Sequence, residues 1–123
     1  MGPRIDLAGK RVLVVGLART GVATALFCAR RGARVTATET RPAAQLAEVV
    51  AQLRQAGCAL ELGGHRSETF LQQDLIVPSP GVPLTLAGLA AARSAGIPIW
   101  SEIELASRFL RGRLVAITGS NGK

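Results

Sequence analysis

The chain has 123 residues, 48% of them hydrophobic, with a formal net charge of +7. That is enough for one domain with a real core and too little for a second complete one. No run of about 18 apolar residues occurs to span a membrane, and the first twenty residues carry Arg4, Asp6, Lys10, Arg11 and Arg19 without the apolar segment of a secretory signal.

The charge is uneven. Residues 1–41 hold eight basic and two acidic residues (+6), and residues 42–123 hold seven and six (+1). Clustered cations favour an anionic partner: nucleic acid, an acidic membrane or a phosphate-bearing small molecule. The aromatic residues Phe27, Phe70, Trp100 and Phe109 are not interleaved with the arginines as a base-stacking platform requires, which argues against nucleic acid. Cys28 and Cys58 lack metal-ligand spacing and are too few for a disulfide scaffold. They read as small core residues of a cytoplasmic protein.

In chain order, short apolar runs predict strands over 11–15, 34–38, 59–62, 75–77, 97–100 and 114–118. Helical spacing between them predicts helices over 21–31 (Val22, Leu26 and Ala29 on one face), 43–56 (Leu46, Val49, Val50 and Leu53), 84–95 and 102–109; Gly32, Gly57 and Gly96 stop the first three. Strand and helix alternating with such short connections imply a doubly wound, Rossmann-like α/β fold, a parallel sheet of about five strands with helices on both faces. Residues 1–101 form this unit. Residues 102–123 read as a linker helix, a first strand and the truncated phosphate loop of a second domain, because a Gly-rich turn after a strand normally opens a helix and here the chain stops.

Three constellations carry candidate chemistry. Gly16-Leu17-Ala18-Arg19-Thr20-Gly21 lies between the first strand and the first helix. It is similar to the dinucleotide fingerprint, with the Ala18 methyl where the second glycine admits pyrophosphate; a tight turn that binds nothing fits as well. Glu39-Thr40-Arg41 ends the second strand, 18 residues beyond Gly21. Its carboxylate suits a ribose diol or the N–H of a uracil ring, and Arg41 offers a fork of donors to a phosphate; the same residues could simply begin a loop before Pro42. Asp74 to Pro83 ends a buried strand in a turn stiffened by Pro78, Pro80 and Pro83, where Gly81 permits close backbone approach and the N–H groups after Pro80 are held for an anion.

Joined to Ile103-Glu104-Leu105 and to Val115-Ala-Ile-Thr-Gly-Ser-Asn-Gly-Lys123, these strings closely resemble the N-terminal part of the Mur ligase family, nearest to its D-glutamate-adding members. The likeness runs from Lys10 to Lys123. Its most specific part, Thr118 to Lys123, departs from the general P-loop pattern, which requires a glycine where Ile117 stands.

The resemblance implies an ATP-dependent ligase of peptidoglycan precursor synthesis, with UDP-N-acetylmuramoyl-L-alanine, D-glutamate and ATP as substrates and Mg²⁺ beside the ATP. The substrate carboxylate becomes an acyl phosphate, which the amine of D-glutamate attacks. Arg19, Thr20, Glu39, Thr40, Arg41, Ser79, Pro80 and Gly81 match the residues around the UDP moiety; Glu39 stands for the more familiar aspartate. Gly119, Ser120, Asn121, Gly122 and Lys123 match the ATP phosphate cradle, with Lys123 as the cation, and no metal ligand is expected within the chain. A monomer is expected that binds the UDP moiety and does not catalyse alone. Two rivals are an NAD(P)-binding domain of an oxidoreductase, supported by Gly16, Gly21 and Glu39, and a non-catalytic nucleotide sensor. His65, within Gly63-Gly64-His65-Arg66, is expected to be a solvated loop residue, since no cysteine or second histidine is near it in sequence. Glu102 and Glu104 are assigned a structural role at a helix start.

Overall fold

The computed structural model describes residues 7–108. β1 (Arg11–Val15) buries four of its five side chains completely, as an unbroken aliphatic run does when a sheet is covered on both faces. After it come α1 (Arg19–Arg30), β2 (Arg34–Glu39), α2 (Ala47–Gln55), β3 (Ala59–Leu62), α3 (Ser67–Leu71), β4 (Leu75–Pro78), α4 (Ala87–Ser94) and a helical segment over 102–108, called α5. Among the described residues the sheet has four strands, all parallel, in the order β3-β2-β1-β4.

Alternate side chains of β1 feed two cores. Val12 and Val14 pack with Ala25 and Cys28 of α1, Leu53 of α2 and Leu105 of α5. Leu13 and Val15 face the other way, onto Phe70 of α3 and onto Leu89 and Ala92 of α4. Helices therefore cover both faces, and the doubly wound fold is as expected. Cys28 and Cys58 are buried, and burial pushes the Cys28 thiol up to about 12 with a further rise from Cys58, so it is a protonated core filler.

Several elements differ from the sequence reading, and the helix expected over 84–95 begins only at Ala87. The expected strand over 97–100 shrinks to one parallel bridge, Ile76 to Ile99, formed by Ile76 N–H to Pro98 O and Trp100 N–H to Ile76 O. The next bonds of that ladder would have to be donated by residues 98 and 78, and both are prolines without an N–H. The helix expected over 43–56 is broken: Ala43–Gln45 makes a single 3₁₀ turn, and Leu46 (φ −131°) precedes α2. Residues 43–45 are all exposed and add nothing to the core, in which Leu46 is the first buried residue of the expected stripe. α1 starts two residues early, and its deepest positions are Gly21, Ala25 and Cys28, with Val22, Leu26 and Ala29 flanking them. α3 was not expected; at five residues it is too short to show a helical period. The expected strand over 114–118 lies outside the described residues.

Gly88 fixes how α4 meets α3. A Cβ there would come within 2.6 Å of the Phe70 ring. With β1 flanked by β2 on one side and β4 on the other, the chain reverses its winding direction at β1. The carboxyl ends of β1 and β4 therefore border the crevice where such sheets bind ligands.

Candidate functional site

The turn between β1 and α1 is built on glycine. Gly16 has φ +95° and donates its N–H to Thr38 O at 2.8 Å, while a Cβ on Gly21 would overlap the Gly16 carbonyl oxygen. Arg19 and Thr20 form the exposed first turn of α1. Ala18 precedes it without any side-chain cap, so the first N–H groups of the helix gain no side-chain acceptor from that position.

On the β2 side, Glu39 ends its strand buried. Its Oε1 accepts from Leu17 N–H (2.7 Å) and Arg41 Nη2 (3.1 Å), and its Oε2 from Arg41 N–H (3.0 Å), Arg41 Nε (3.2 Å) and Thr40 Oγ1 (3.2 Å). Burial by itself would raise this carboxyl. The Arg41 guanidinium, the backbone N–H groups of Leu17 and Arg41 and the Arg41 charge outweigh it and hold the group at about 2. Five donors exhaust the roughly four lone-pair positions of a carboxylate, so Glu39 serves the protein's own turn. Arg41 is in turn fixed by Glu39 and by donation from Nη2 to Leu17 O (3.1 Å), and its remaining nitrogen, Nη1, makes no hydrogen bond among the described residues.

On the β4 side, Ser79 is buried and donates its N–H to Val15 O (2.9 Å). Its hydroxyl lies 3.1 Å from Gly16 O and 3.3 Å from Glu102 Oε2, two acceptors for one proton. Pro80 and Gly81 are exposed. Gly81 has no positive φ, and a Cβ on it would meet nothing within 4 Å. The fold itself therefore does not demand glycine there.

Residues from both sides thus touch adjacent residues of one turn, Glu39 and Arg41 at Leu17 and Ser79 at Gly16. Residues 119–123, to which the ATP cradle was assigned, lie outside the described residues. Asp74 is elsewhere, at the amino edge: hydrogen bonds from the Arg11 side chain and N–H hold its carboxyl at about 2. Ser101 Oγ accepts the Glu104 N–H at the start of α5, and Glu104 pairs with Arg108, so the structural assignment of Glu104 fits; Glu102 reaches the site through Ser79.

The sequence reading of His65 as a solvated loop residue is corrected. Its ring is half-buried, hydrogen-bonded through Nδ1 to Thr38 Oγ1 at 2.7 Å and edge-on to Phe70 (6.1 Å, 89°). Burial lowers its basicity and the Glu39 charge acts the other way. The signal that could have marked it is the preceding pair Gly63-Gly64, which takes φ +82° and +152°. Among the described residues no group of three or more His, Cys, Asp or Glu could hold a metal, and no helix is long and apolar enough to cross a membrane.

Comparison with known proteins gives a consistent picture. The family model "Mur ligase MurD-like, N-terminal domain" matches residues 10–101. UDP-N-acetylmuramoylalanine--D-glutamate ligase of Pelobacter propionicus is 58% identical over 119 residues, which cover 97% of this chain and 27% of that protein. The enzyme of the same name from Acidobacterium capsulatum is 54% identical over 119 residues, covering 97% of this chain and 26% of its own. A solved murein peptide ligase from Psychrobacter arcticus shares the fold, with a TM-score of 0.67 at 21% identity, over 88% of this chain and 21% of its own. The chain spans about a quarter of the length of the curated relatives it matches.

Proposed function

The chain belongs to the family of MurD-like Mur ligase N-terminal domains, and from that premise we propose that it is the uridine-nucleotide-binding part of a cytoplasmic, ATP-dependent ligase that adds D-glutamate to UDP-N-acetylmuramoyl-L-alanine. The observation that carries the reading is the convergence of the strand-2 tripeptide and the strand-4 bend on one glycine turn at the switch point. Arg19, Thr20, Thr40, Arg41, Ser79, Pro80 and Gly81 surround the UDP moiety. Glu39 takes part by holding Leu17 and Arg41 in place.

The chemistry of the edge fits such a ligand. Arg41 offers a guanidinium whose direction is already set, so little side-chain freedom is lost when an anion or a base carbonyl meets Nη1. The uncapped first turn of α1 adds N–H groups with the favourable end of a helix dipole, and the open space over Gly81 admits a diphosphate close to the backbone. The NAD(P) alternative needs a free carboxylate for the ribose diol, and Glu39 has its acceptors filled.

The division at residue 101 belongs to the same proposal, and the family match ending there supports it. When bound, ATP with Mg²⁺ supplies the phosphoryl group that activates the substrate carboxylate. Gly119, Ser120, Asn121 and Gly122 are proposed as its backbone cradle and Lys123 as the cation at its phosphates. The chain alone is proposed to bind and not to turn over, as a monomer.

Kinetics of the complete ligase test this assignment. Arg41→Ala is expected to raise KM for UDP-N-acetylmuramoyl-L-alanine about tenfold and leave KM for ATP nearly unchanged. Equal effects on both substrates would reject it. Lys123→Ala is expected to abolish turnover while UDP-substrate affinity persists.

A further inference from the structure

We propose that His65 is a positioning residue of the nucleotide site, acting through the loop 63–66 on the backbone of residues 39–41. The pairing of β2 with β3 ends at Glu39 and Leu62, yet two more bonds continue it. Gly64 N–H donates to Glu39 O at 3.2 Å and Gly63 N–H to Arg41 O at 3.1 Å.

Both donors belong to glycines at positive φ, the residue type with the most freedom to lose, so an unanchored Gly-Gly segment would not hold the Glu39 and Arg41 carbonyls in register. The anchor is the next residue. His65 Nδ1 lies 2.7 Å from Thr38 Oγ1, and Phe70 backs the ring. Thr38 is completely buried, its hydroxyl has one other contact, Gly64 O at 3.4 Å, and a buried hydroxyl keeps a partner firmly.

The tripeptide is thus clamped from two directions, by the β1 turn through the Glu39 and Arg41 side chains and by the His65 loop through their carbonyls. Removing the imidazole frees the second clamp and lets the Arg41 guanidinium wander. The loop's hydrogen bonds reach Thr38, Glu39 and Arg41, so its loss is expected to act on nucleotide binding and to spare the chemical step.

This inference rests on the uridine-nucleotide reading, and one set of measurements on the complete ligase separates the two. His65→Ala is expected to raise KM for UDP-N-acetylmuramoyl-L-alanine about fivefold to tenfold, with kcat and KM for ATP unchanged. His65→Asn, whose amide reaches the Thr38 hydroxyl, is expected to restore most of the affinity. Thr38→Val, close in volume and lacking the hydroxyl, is expected to reproduce the loss and serves if His65→Ala does not fold. An unchanged KM in His65→Ala and Thr38→Val beside a weakened Arg41→Ala overturns the role of His65 alone, as does an Asn variant no better than Ala or a kcat that falls with affinity. Failure of the wild-type ligase to bind the UDP substrate overturns the nucleotide reading itself.

Discussion

The two flanks of the glycine turn are built to different standards of completeness. On the β2 flank Glu39 gathers five donors, Arg41 answers with contacts to Glu39 and Leu17, and the loop carrying His65 holds the carbonyls behind them. On the β4 flank Ser79 divides one proton between Gly16 O and Glu102, and beyond it Pro80 and Gly81 stand in the open. In the proposed nucleotide site, a saturated flank orients its outward guanidinium before a ligand arrives, whereas a sparse flank leaves room for the ligand to complete the bonding. Preorganisation favours discrimination, and the open side favours entry.

The variant expected to break this contrast most severely is Gly21→Ala, because the new methyl overlaps the Gly16 carbonyl and drives α1 away from both flanks at once. Urea unfolding should show a loss of about 3 kcal/mol or more. A near-neutral result would mean that the turn yields easily and positions nothing.

A smaller effect, confined to the β2 flank, is expected of Glu39→Gln. The amide keeps the shape but cannot satisfy the same donors, and a cost of about 2 kcal/mol follows from the buried N–H left wanting. The pH dependence sharpens the test. With the folded carboxyl held near 2 against an ordinary 4.5, its stabilising contribution is complete above pH 4.5 and disappears as the pH falls from 4.5 towards 2. Wild type should lose stability more steeply than Glu39→Gln across that window. Parallel acid profiles would show the clamp to be weak.

The smallest effect is expected on the sparse flank. Ser79→Ala removes a hydroxyl that satisfies one of two acceptors at a time, and denaturation should register about 1 kcal/mol or less. If Ser79→Ala proved as costly as Glu39→Gln, the distinction between the flanks would collapse.

Much of this architecture was legible before any coordinates. The aliphatic runs at 11–15 and 75–77, the glycines that stop the helices and the turn from Gly16 to Gly21 encode themselves within a few residues, where backbone freedom and local periodicity decide the outcome. The early start of α1 and the break before α2 lie at element boundaries, where tertiary contacts at Leu46 and Gly21 outweigh local preference. Collapse of the strand over 97–100 into a single bridge needed a further fact, that Pro78 and Pro98 occupy the donor positions on either side of it.

Fold class, the succession of strands and helices and the set of polar residues at the strand ends were therefore properties of the sequence alone. Their partnerships were not. Glu39 meets Leu17 across 22 residues, His65 meets Thr38 across 27 and Ser79 meets Gly16 across 63, and these separations close only when β2 pairs with β1, β3 with β2 and β4 with β1. Whether a carboxylate faces a ligand or its own backbone depends on which donors the finished sheet brings within about 3 Å. That distance is set by tertiary packing, beyond the reach of any local pattern.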